Sequence, residues 1–433
     1  MIKNKILTTF KIGLVNLSFK VLFFKIGGVI FFFGLSLFLT NFFDPVLVGK
    51  YDFIRSSLLV MGGVCLLGTN QAIIYYSGVL DAKNSFTGLR NVYIKMIVII
   101  LSLSGLLFII VTLLSPDYIN DFFKKDDAYD LILKMTACIA AFSISMLNID
   151  TIRACKKTLL SEFYRNFFRY LPFLVLAIIL VLAQITQWLV EVYLLGFVIV
   201  AIVTSIQVFF AFKKNKDIKT SITFSYRNIL SKSSPMALSA VSYFLMQSVD
   251  IILLGKFVNF DMVAYYAVAV KIATASSLGL QSVNIAIAPK IAKIYNNGEI
   301  ISLKKIIKNS VRLTVVLSLP ALIILGVFAS FFLNLFGSEY VAAKQALWIL
   351  LLGQLCNTLC GPIAIYMNMT GKQNELHVIL LFGLLINIVL NWILIPLYGM
   401  RGAAFATAIS MLVWNAIAVI YTYKKDGILS FLT

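Results

Sequence analysis

The 433-residue sequence carries a formal net charge of +19, and 61% of its residues are hydrophobic whereas only 13% are charged. Soluble globular domains are about 45–50% apolar and about 25% charged, so a soluble core cannot bury this much apolar surface. A membrane-spanning helix needs about 20 mostly apolar residues, which leaves room for about twelve spans if the loops are short. The composition therefore predicts an all-α polytopic membrane protein.

Apolar runs bounded by charges and turn residues predict twelve spanning helices, with fourteen as the alternative count. The predicted spans cover residues 21–41, 46–76, 93–114, 130–152, 167–184, 188–212, 235–257, 262–289, 310–333, 341–370, 376–396 and 402–423. A long basic stretch from Lys213 to Lys232 separates the sixth span from the seventh. We therefore predict two six-helix lobes, an N-terminal lobe at residues 1–220 and a C-terminal lobe at residues 221–433.

Lysine and arginine are concentrated in alternate loops, and such basic loops are retained on the cytoplasmic side. The basic segments contain Arg90 and Lys95, then Arg153, Lys156, Lys157, Arg165 and Arg169, then Lys213 and Lys216, then Lys304, Lys305 and Lys308, and finally Lys372, Lys424 and Lys425. The opposite loops are short and poor in basic residues, and the loop after Pro116 contains Asp126. This alternation predicts that both termini are cytoplasmic. It explains the net charge by topology and by attraction to anionic membrane lipids, with no implication of nucleic acid binding.

Ionisable side chains deep in the predicted spans are candidate functional residues, because each costs about 2.5–3.5 kcal/mol at the bilayer centre. Four positions qualify, namely Lys25, Arg55, Asp250 and Lys271. Arg55 and Lys271 lie at comparable depth on the second span of their respective halves. That placement is expected for two lobes that face one central substrate cavity.

Structural roles are open for the same residues. Asp250 and Lys271 flank one hairpin at similar depth and could neutralise each other, whereas Asp52 and Arg55 are i,i+3 neighbours on one helix face. Asp52 and Asp250 are thus candidates either for charge pairing or for coupling to an ion. Lys25 could extend its ammonium group to the cytoplasmic interface.

Two asparagines on the eleventh span, Asn387 and Asn391, are spaced i,i+4 and are candidates for helix packing or for lining a cavity. The sequence has no nucleophile motif, no metal-ligand spacing and no phosphate-cradling glycine loop with a lysine. We therefore predict neither an enzyme nor a metal site. We also expect no cofactor, and the identity of a coupling ion, H⁺ or Na⁺, is open.

Two stretches of the chain carry a family resemblance. The first combines Asn387-x-x-x-Asn391 with IPLYGMRGAAFAT at residues 395–407, and the second combines VDIILLGKF at residues 249–257 with YAVAVKI at residues 266–272. The segment from 347 to 425 resembles the C-terminal half of polysaccharide exporters. It is most similar to Wzx-type O-antigen flippases of the multidrug/oligosaccharidyl-lipid/polysaccharide (MOP) exporter superfamily.

This resemblance implies a MATE-like pair of lobes that alternate between inward-open and outward-open states. The implied substrate is an undecaprenyl-diphosphate-linked oligosaccharide, an O-antigen or related polysaccharide repeat unit, moved to the outer leaflet of a bacterial cytoplasmic (inner) membrane. Membrane lipids and polysaccharide polymerase machinery are the other implied partners. Related lipid II flippases keep cations on the first, second and eighth helices, where Lys25, Arg55 and Lys271 lie here. Lysine at two of these positions favours point-charge contacts over bidentate clamping of phosphate.

Two rival functions are compatible with the spans. A MATE-like cation/drug antiporter of the same superfamily would share the fold, but its cationic substrates favour carboxylates in the cavity, and the deep charges here are mostly basic. A non-transporting membrane scaffold would have no effect on lipid-linked glycan intermediates.

The charge alternation makes a testable prediction about orientation. In a variant without the native cysteines, we expect Asp126→Cys to react with a membrane-impermeant thiol reagent in intact cells, because its loop faces outward. Lys216→Cys and Lys304→Cys should react only after the cells are permeabilised. The reverse labelling pattern would overturn the orientation.

Overall fold

The computed structural model describes residues 2–81, 85–214 and 223–431, with the side chains in these ranges except those of residues 2–19, 22, 214, 239, 240 and 243. Within these residues the chain is helical, with no β-strand. The predicted lobe boundary at residue 220 and the nearby Lys216 lie outside the described residues, so both stay predictions.

The α-helices of the described residues are numbered in chain order. The first nine are α1 (Ile2–Phe42), α2 (Pro45–Leu66), α3 (Thr69–Asp81), α4 (Phe86–Leu113), α5 (Pro116–Phe123), α6 (Ala128–Ala154), α7 (Thr158–Phe163), α8 (Leu171–Leu182) and α9 (Leu189–Lys214). The others are α10 (Tyr226–Phe257), α11 (Phe260–Ala275), α12 (Leu278–Asn296), α13 (Ile300–Val327), α14 (Ala329–Asn334), α15 (Lys344–Cys360), α16 (Ile363–Met369), α17 (Gln373–Tyr398) and α18 (Met400–Asp426).

The helices correspond to the predicted spans. Among the described residues, eight helical segments are long and apolar enough to cross a membrane, and eleven result if each bent helix pair counts as one span. The bent pairs are α2 with α3 at 42°, α11 with α12 at 44°, and Ser338–Cys360 with α16 at 45°. Helix α10 covers the remaining predicted span, the seventh. The prediction of an all-α protein with about twelve spans is confirmed.

The fifth span begins earlier than the sequence predicts. Helix α7, a π-helical turn at Tyr164–Phe168 and α8 together form one apolar element, Thr158–Leu182, where a span at residues 167–184 was predicted. Arg165, which the predicted boundary left outside the span, therefore lies inside this element, as does Arg169, which the predicted span already included. The cytoplasmic side that the charge pattern gives these two arginines stays a prediction.

A proline explains the local geometry of this span. Pro172 has no backbone N–H, and its ring would clash with the carbonyl group of Phe168, so a regular α-helix cannot run through this point. The π-helical turn absorbs the break, and the Arg169 amide donates to the Tyr164 carbonyl oxygen at 3.0 Å. The extra residue in the turn rotates the following side chains by about 100° relative to a regular helix.

The chain forms two compact units. Unit 1 comprises Met1–Phe43 and Ser57–Phe244, and unit 2 comprises Asp44–Ser56 and Leu245–Thr433. One division falls between α1 and α2, and the other two fall inside α2 and α10, so each of these last two helices contributes residues to both units.

In unit 2, the first part of α2 packs closely against the start of α11. A Cβ atom at Gly49 would lie only 1.7 Å from the carbonyl oxygen of Phe260, so no larger residue allows this approach. The Phe53 ring lies 5.7 Å from the Phe260 ring and covers Gly255. This packing fixes the helical turn that carries Asp52.

In unit 1, a row of aromatic rings joins α6, α8 and α9. The ring centroids of Phe142 and Phe197 are 5.1 Å apart, those of Phe197 and Tyr193 are 5.3 Å apart, and those of Tyr193 and Phe173 are 5.1 Å apart. All three pairs have the edge-to-face geometry that aromatic quadrupoles favour. The row therefore holds the fifth span against its two neighbours.

Candidate functional site

A buried carboxylate joins two cations in unit 2. Asp52 Oδ1 lies 3.1 Å from Arg55 Nε, and Asp52 Oδ2 lies 3.2 Å from Lys271 Nζ. Arg55 follows Asp52 by one turn on α2, whereas Lys271 belongs to α11. The structure thus brings two of the predicted substrate-binding cations together. The i,i+3 pair of Asp52 and Arg55 that the sequence left open is present as well.

The accessible side of this cluster is cationic. The Asp52 side chain is 0% exposed, whereas the side chains of Arg55 and Lys271 are 19% and 10% exposed. A ligand that reaches the cluster therefore meets a guanidinium and an ammonium group before it meets the carboxylate. Asp52 also engages Arg55 through Nε, so the guanidinium plane is oriented before a ligand arrives. The arrangement suits an anion.

Asp250 has different partners from those of Asp52. Its Oδ2 accepts a hydrogen bond from the Tyr266 hydroxyl at 2.7 Å, and its Oδ1 accepts one from the Ile251 amide at 2.9 Å. Asp250 is 4% exposed and Tyr266 is fully buried. The structure does not favour neutralisation of Asp250 by Lys271. Lys271 contacts Asp52 instead, and hydroxyl and amide groups stabilise Asp250 by donating hydrogen bonds to it.

A buried polar chain extends from Asp250 to α17. The Thr407 hydroxyl donates to Asp250 Oδ2 at 3.5 Å, and Asn387 Nδ2 lies 3.4 Å from Thr407 Oγ1 and 3.2 Å from Ser410 Oγ. Asn391 Nδ2 donates to Asn387 Oδ1 at 3.0 Å, and Asn391 Oδ1 is buried without a hydrogen bond in the described part of the chain. Asn387 therefore links α17 to α18, as expected for a packing residue. The same oxygen-rich chain could also take a proton or a small cation.

Unit 1 holds the third predicted cation and an ion pair that sequence reasoning missed. Lys25 is exposed, near the start of the apolar part of α1, Phe23–Phe42. Asp150 on α6 is 4% exposed and contacts the guanidinium group of Arg165, and Asn70 Nδ2 donates to its Oδ2 at 3.2 Å. The predicted span boundary at residue 167 placed Arg165 in a loop, so its charge was interpreted as a topology signal and not as half of an ion pair.

The hydroxyl groups of Tyr266 and Thr407 were also missed as site residues. Both lie in the two sequence stretches that carry the family resemblance, and this was the available signal. Their partner Asp250 had been selected for its depth alone. A search for hydroxyl side chains at the same depth would have found them.

Comparison with known proteins gives a family match and curated relatives that are described as flippases. The model of the MatE family matches residues 235–393. A "probable low-salt glycan biosynthesis flippase" of Haloferax volcanii is 28% identical over 192 residues. That match covers 43% of this chain and 40% of the relative, so the chain spans less than half of the length of the protein it matches.

Two solved structures share the fold over nearly the whole chain. The lipid II flippase MurJ in an inward closed conformation has a TM-score of 0.73 at 15% identity, covering 95% of this chain and 89% of that chain. An inward-facing multidrug resistance MATE family transporter of the MOP superfamily has a TM-score of 0.70 at 15% identity, covering 91% and 93%. These likenesses confirm the predicted MATE-like fold. The family and the relatives are transporters, which supports the prediction that the chain is not an enzyme.

The Asp52 cluster makes a prediction about stability. We expect Asp52→Asn to lower the melting temperature of the purified protein more than Lys271→Gln does. Asp52→Asn leaves two cations beside each other, whereas Lys271→Gln keeps the pair of Asp52 with Arg55. Removing one partner of a buried pair costs about 3–5 kcal/mol, so the double variant Asp52→Asn, Lys271→Gln should recover part of the loss.

The exposed pair of Asp81 and Lys156 is a matched control. Its atoms are 2.7 Å apart, and the side chains are 60% and 76% exposed. Such a pair contributes about 0–1 kcal/mol, so Asp81→Asn should leave the melting temperature nearly unchanged. Equal effects of Asp52→Asn and Asp81→Asn would contradict the assignment of Asp52 as the centre of the cluster.

Proposed function

We propose that this chain, whose fold and MatE match support its place among the transporters of the MOP superfamily, is a flippase for a lipid-linked glycan. It moves an undecaprenyl-diphosphate-linked oligosaccharide, an O-antigen or related polysaccharide repeat unit, from the cytoplasmic to the outer leaflet of the bacterial inner membrane by alternating access. The observation that carries the proposal is the accessible cationic side of the Asp52 cluster.

The chemistry of the substrate matches that cluster. A diphosphate cannot enter hydrocarbon without opposite charge, because burying an uncompensated ion is too costly. Arg55 offers a planar guanidinium that Asp52 already orients, and Lys271 offers a compact ammonium charge. The polyprenyl tail is as apolar as the lipid and can remain in the bilayer while the head group is carried. Lys25 is the proposed third contact, in unit 1.

Two of the likenesses support this choice of substrate class, since one relative is described as a glycan biosynthesis flippase and one structural neighbour as a lipid II flippase. The fold alone fits a MATE-like cation/drug antiporter equally well. An antiporter would need accessible carboxylates for its cationic substrates. Among the deep charges of unit 2, Asp52 and Asp250 are buried while Arg55 and Lys271 are partly exposed, which favours an anionic substrate at this depth.

The orientation of the chain, its lipid environment and one protein partner are also proposed. Both termini face the cytoplasm, as the loop charges indicate. Membrane lipids surround the spans. Polysaccharide polymerase machinery is the proposed recipient of the exported repeat unit.

Asp250 is the proposed site for a coupling ion, either Na⁺ or H⁺. If Na⁺ is the ion, replacing choline chloride by sodium chloride should raise the melting temperature of the wild type, because a ligand that binds the folded state stabilises it. Asp250→Asn should abolish this response, whereas Asn41→Asp, an exposed site on α1, should keep it. If H⁺ is the ion, transport in proteoliposomes should follow the pH gradient, and Asp250→Asn should remove that dependence. Transport that needs neither gradient would refute the assignment.

The central functional prediction concerns export. Deleting the gene should stop delivery of a surface glycan while lipid-linked repeat units accumulate on the cytoplasmic face, because synthesis continues without translocation. Lys271→Ala should abolish export at normal protein abundance, and Lys271→Arg should retain much of it because the positive charge is kept. Surface glycan and lipid-linked intermediates are measured together in each strain.

Lys308→Ala, at an exposed lysine of α13, is the matched control and should export normally. The double variant Asp52→Asn, Lys271→Gln separates ligand binding from charge pairing. Restored export in the double variant would show that Lys271 only neutralises Asp52 and does not bind the substrate. Normal surface glycan in the deletion strain, combined with new drug sensitivity, would favour the antiporter.

A further inference from the structure

Arg169 lies deep in the fifth span. It follows Thr158, the first residue of the 25-residue span, by about 16 Å along the helix axis at 1.5 Å per residue. Its helical neighbours are the π-helical turn at Tyr164–Phe168 and the Pro172 break. π-Helical turns inside α-helices are frequent at functional sites. An ionisable residue at this depth calls for a named partner.

The partners of the Arg169 guanidinium are aromatic faces. Its central carbon lies 5.5 Å from the ring centroids of Phe142 and Tyr170 and 5.6 Å from that of Phe197. Phe142 and Phe197 are 1% and 2% exposed, so both of these rings are buried. Aromatic quadrupoles attract a cation, but a ring face is at most a weak acceptor for its N–H groups.

No carboxylate is paired with Arg169 in residues 2–81, 85–214 and 223–431, and its Nε is buried without a hydrogen bond there. The contrast with Arg165, one turn earlier on the same span, is direct, because Arg165 contacts the buried Asp150. The two arginines of this span thus have different surroundings. A carboxylate neutralises Arg165, whereas aromatic rings lie beside Arg169 and no described carboxylate pairs with it.

We infer that Arg169 is an anion-binding residue of unit 1 whose ligand is the diphosphate of the lipid-linked glycan. This inference rests on the proposed function. A guanidinium group that has no carboxylate beside it keeps a planar fork of N–H donors, from which two phosphate oxygens can accept parallel hydrogen bonds. Arg169 is partly exposed, although its Nε is buried. Arg169 thus offers a bidentate phosphate contact, which a lysine cannot make.

The test measures binding of farnesyl diphosphate, a short polyprenyl diphosphate, to the purified full-length protein in detergent, with farnesol as the uncharged comparison. The wild type should bind the diphosphate and discriminate against farnesol. Arg169→Gln should weaken binding by at least about tenfold, and Arg169→Lys should weaken it less. Arg153→Gln, at an exposed arginine at the end of α6, removes one positive charge as the matched control and should bind like the wild type.

If Arg169 has only a structural role, packed against its aromatic rings, the binding experiment gives different results. If Arg169→Gln binds farnesyl diphosphate with an affinity within about twofold of that of the wild type, the inference is overturned and the proposed function still stands. A wild type that binds no diphosphate would overturn both. Should Arg169→Gln fail to fold, phenylglyoxal labelling of the wild type decides, because bound diphosphate should protect Arg169 and not Arg153. Equal labelling of Arg169 with and without ligand would overturn the inference.

Discussion

A charge inside a membrane protein needs a partner, and the Asp52 carboxylate meets this requirement for two cations at once. Each oxygen takes one cation, which leaves the carboxylate buried and the cations partly accessible. The close approach at Gly49 is a condition for this arrangement, since it brings the start of α2 against α11. The grouping of residues 44–56 with unit 2 follows from the same contact. The packing of α2 against α11 and the pairing of the buried charges therefore both depend on the helical turn from Gly49 to Asp52.

The two units solve the problem of buried charge in different ways. Unit 2 uses Asp52 for its cations and hydroxyl donors for Asp250, whose polar neighbours continue through Thr407 to Asn387. Unit 1 pairs Arg165 with Asp150 but surrounds Arg169 with aromatic rings. A carboxylate that hydroxyl groups solvate can change its protonation or bind a small cation without breaking an ion pair. The anion-binding and ion-coupling roles can thus belong to separate groups of residues.

Much of the fold was predictable because a helix is one of the few structures that satisfies its own backbone in hydrocarbon, so apolar runs translate directly into spans. The depth of Arg55 and Lys271 followed from counting residues along their helices. Which helix face meets which neighbour did not follow from counting. The Asp52–Lys271 contact joins positions 219 residues apart and depends on the glycine at position 49.

The fifth span shows a second limit of sequence reasoning. Arg165 interrupts the apolar run, and Arg169 and Pro172 follow it, so the pattern favoured a span that begins only at residue 167. The cost of each charge is met by tertiary partners, Asp150 for one and aromatic rings for the other. Those partners lie on other helices, α6 and α9 among them. A window that reads only neighbouring residues cannot recognise them.

The separation of Asp52 from Lys271 also has a consequence for biosynthesis. The ribosome completes Asp52 219 residues before Lys271, which at about 5–20 residues per second is an interval of about 10–40 s. Throughout that interval the nascent α2 carries a carboxylate whose later partner has not been made. Arg55 lies one turn away on the same helix and needs no other part of the chain. The local pair therefore serves as the insertion-time counterion, which lets the helix enter the bilayer before the rest of its binding cluster exists.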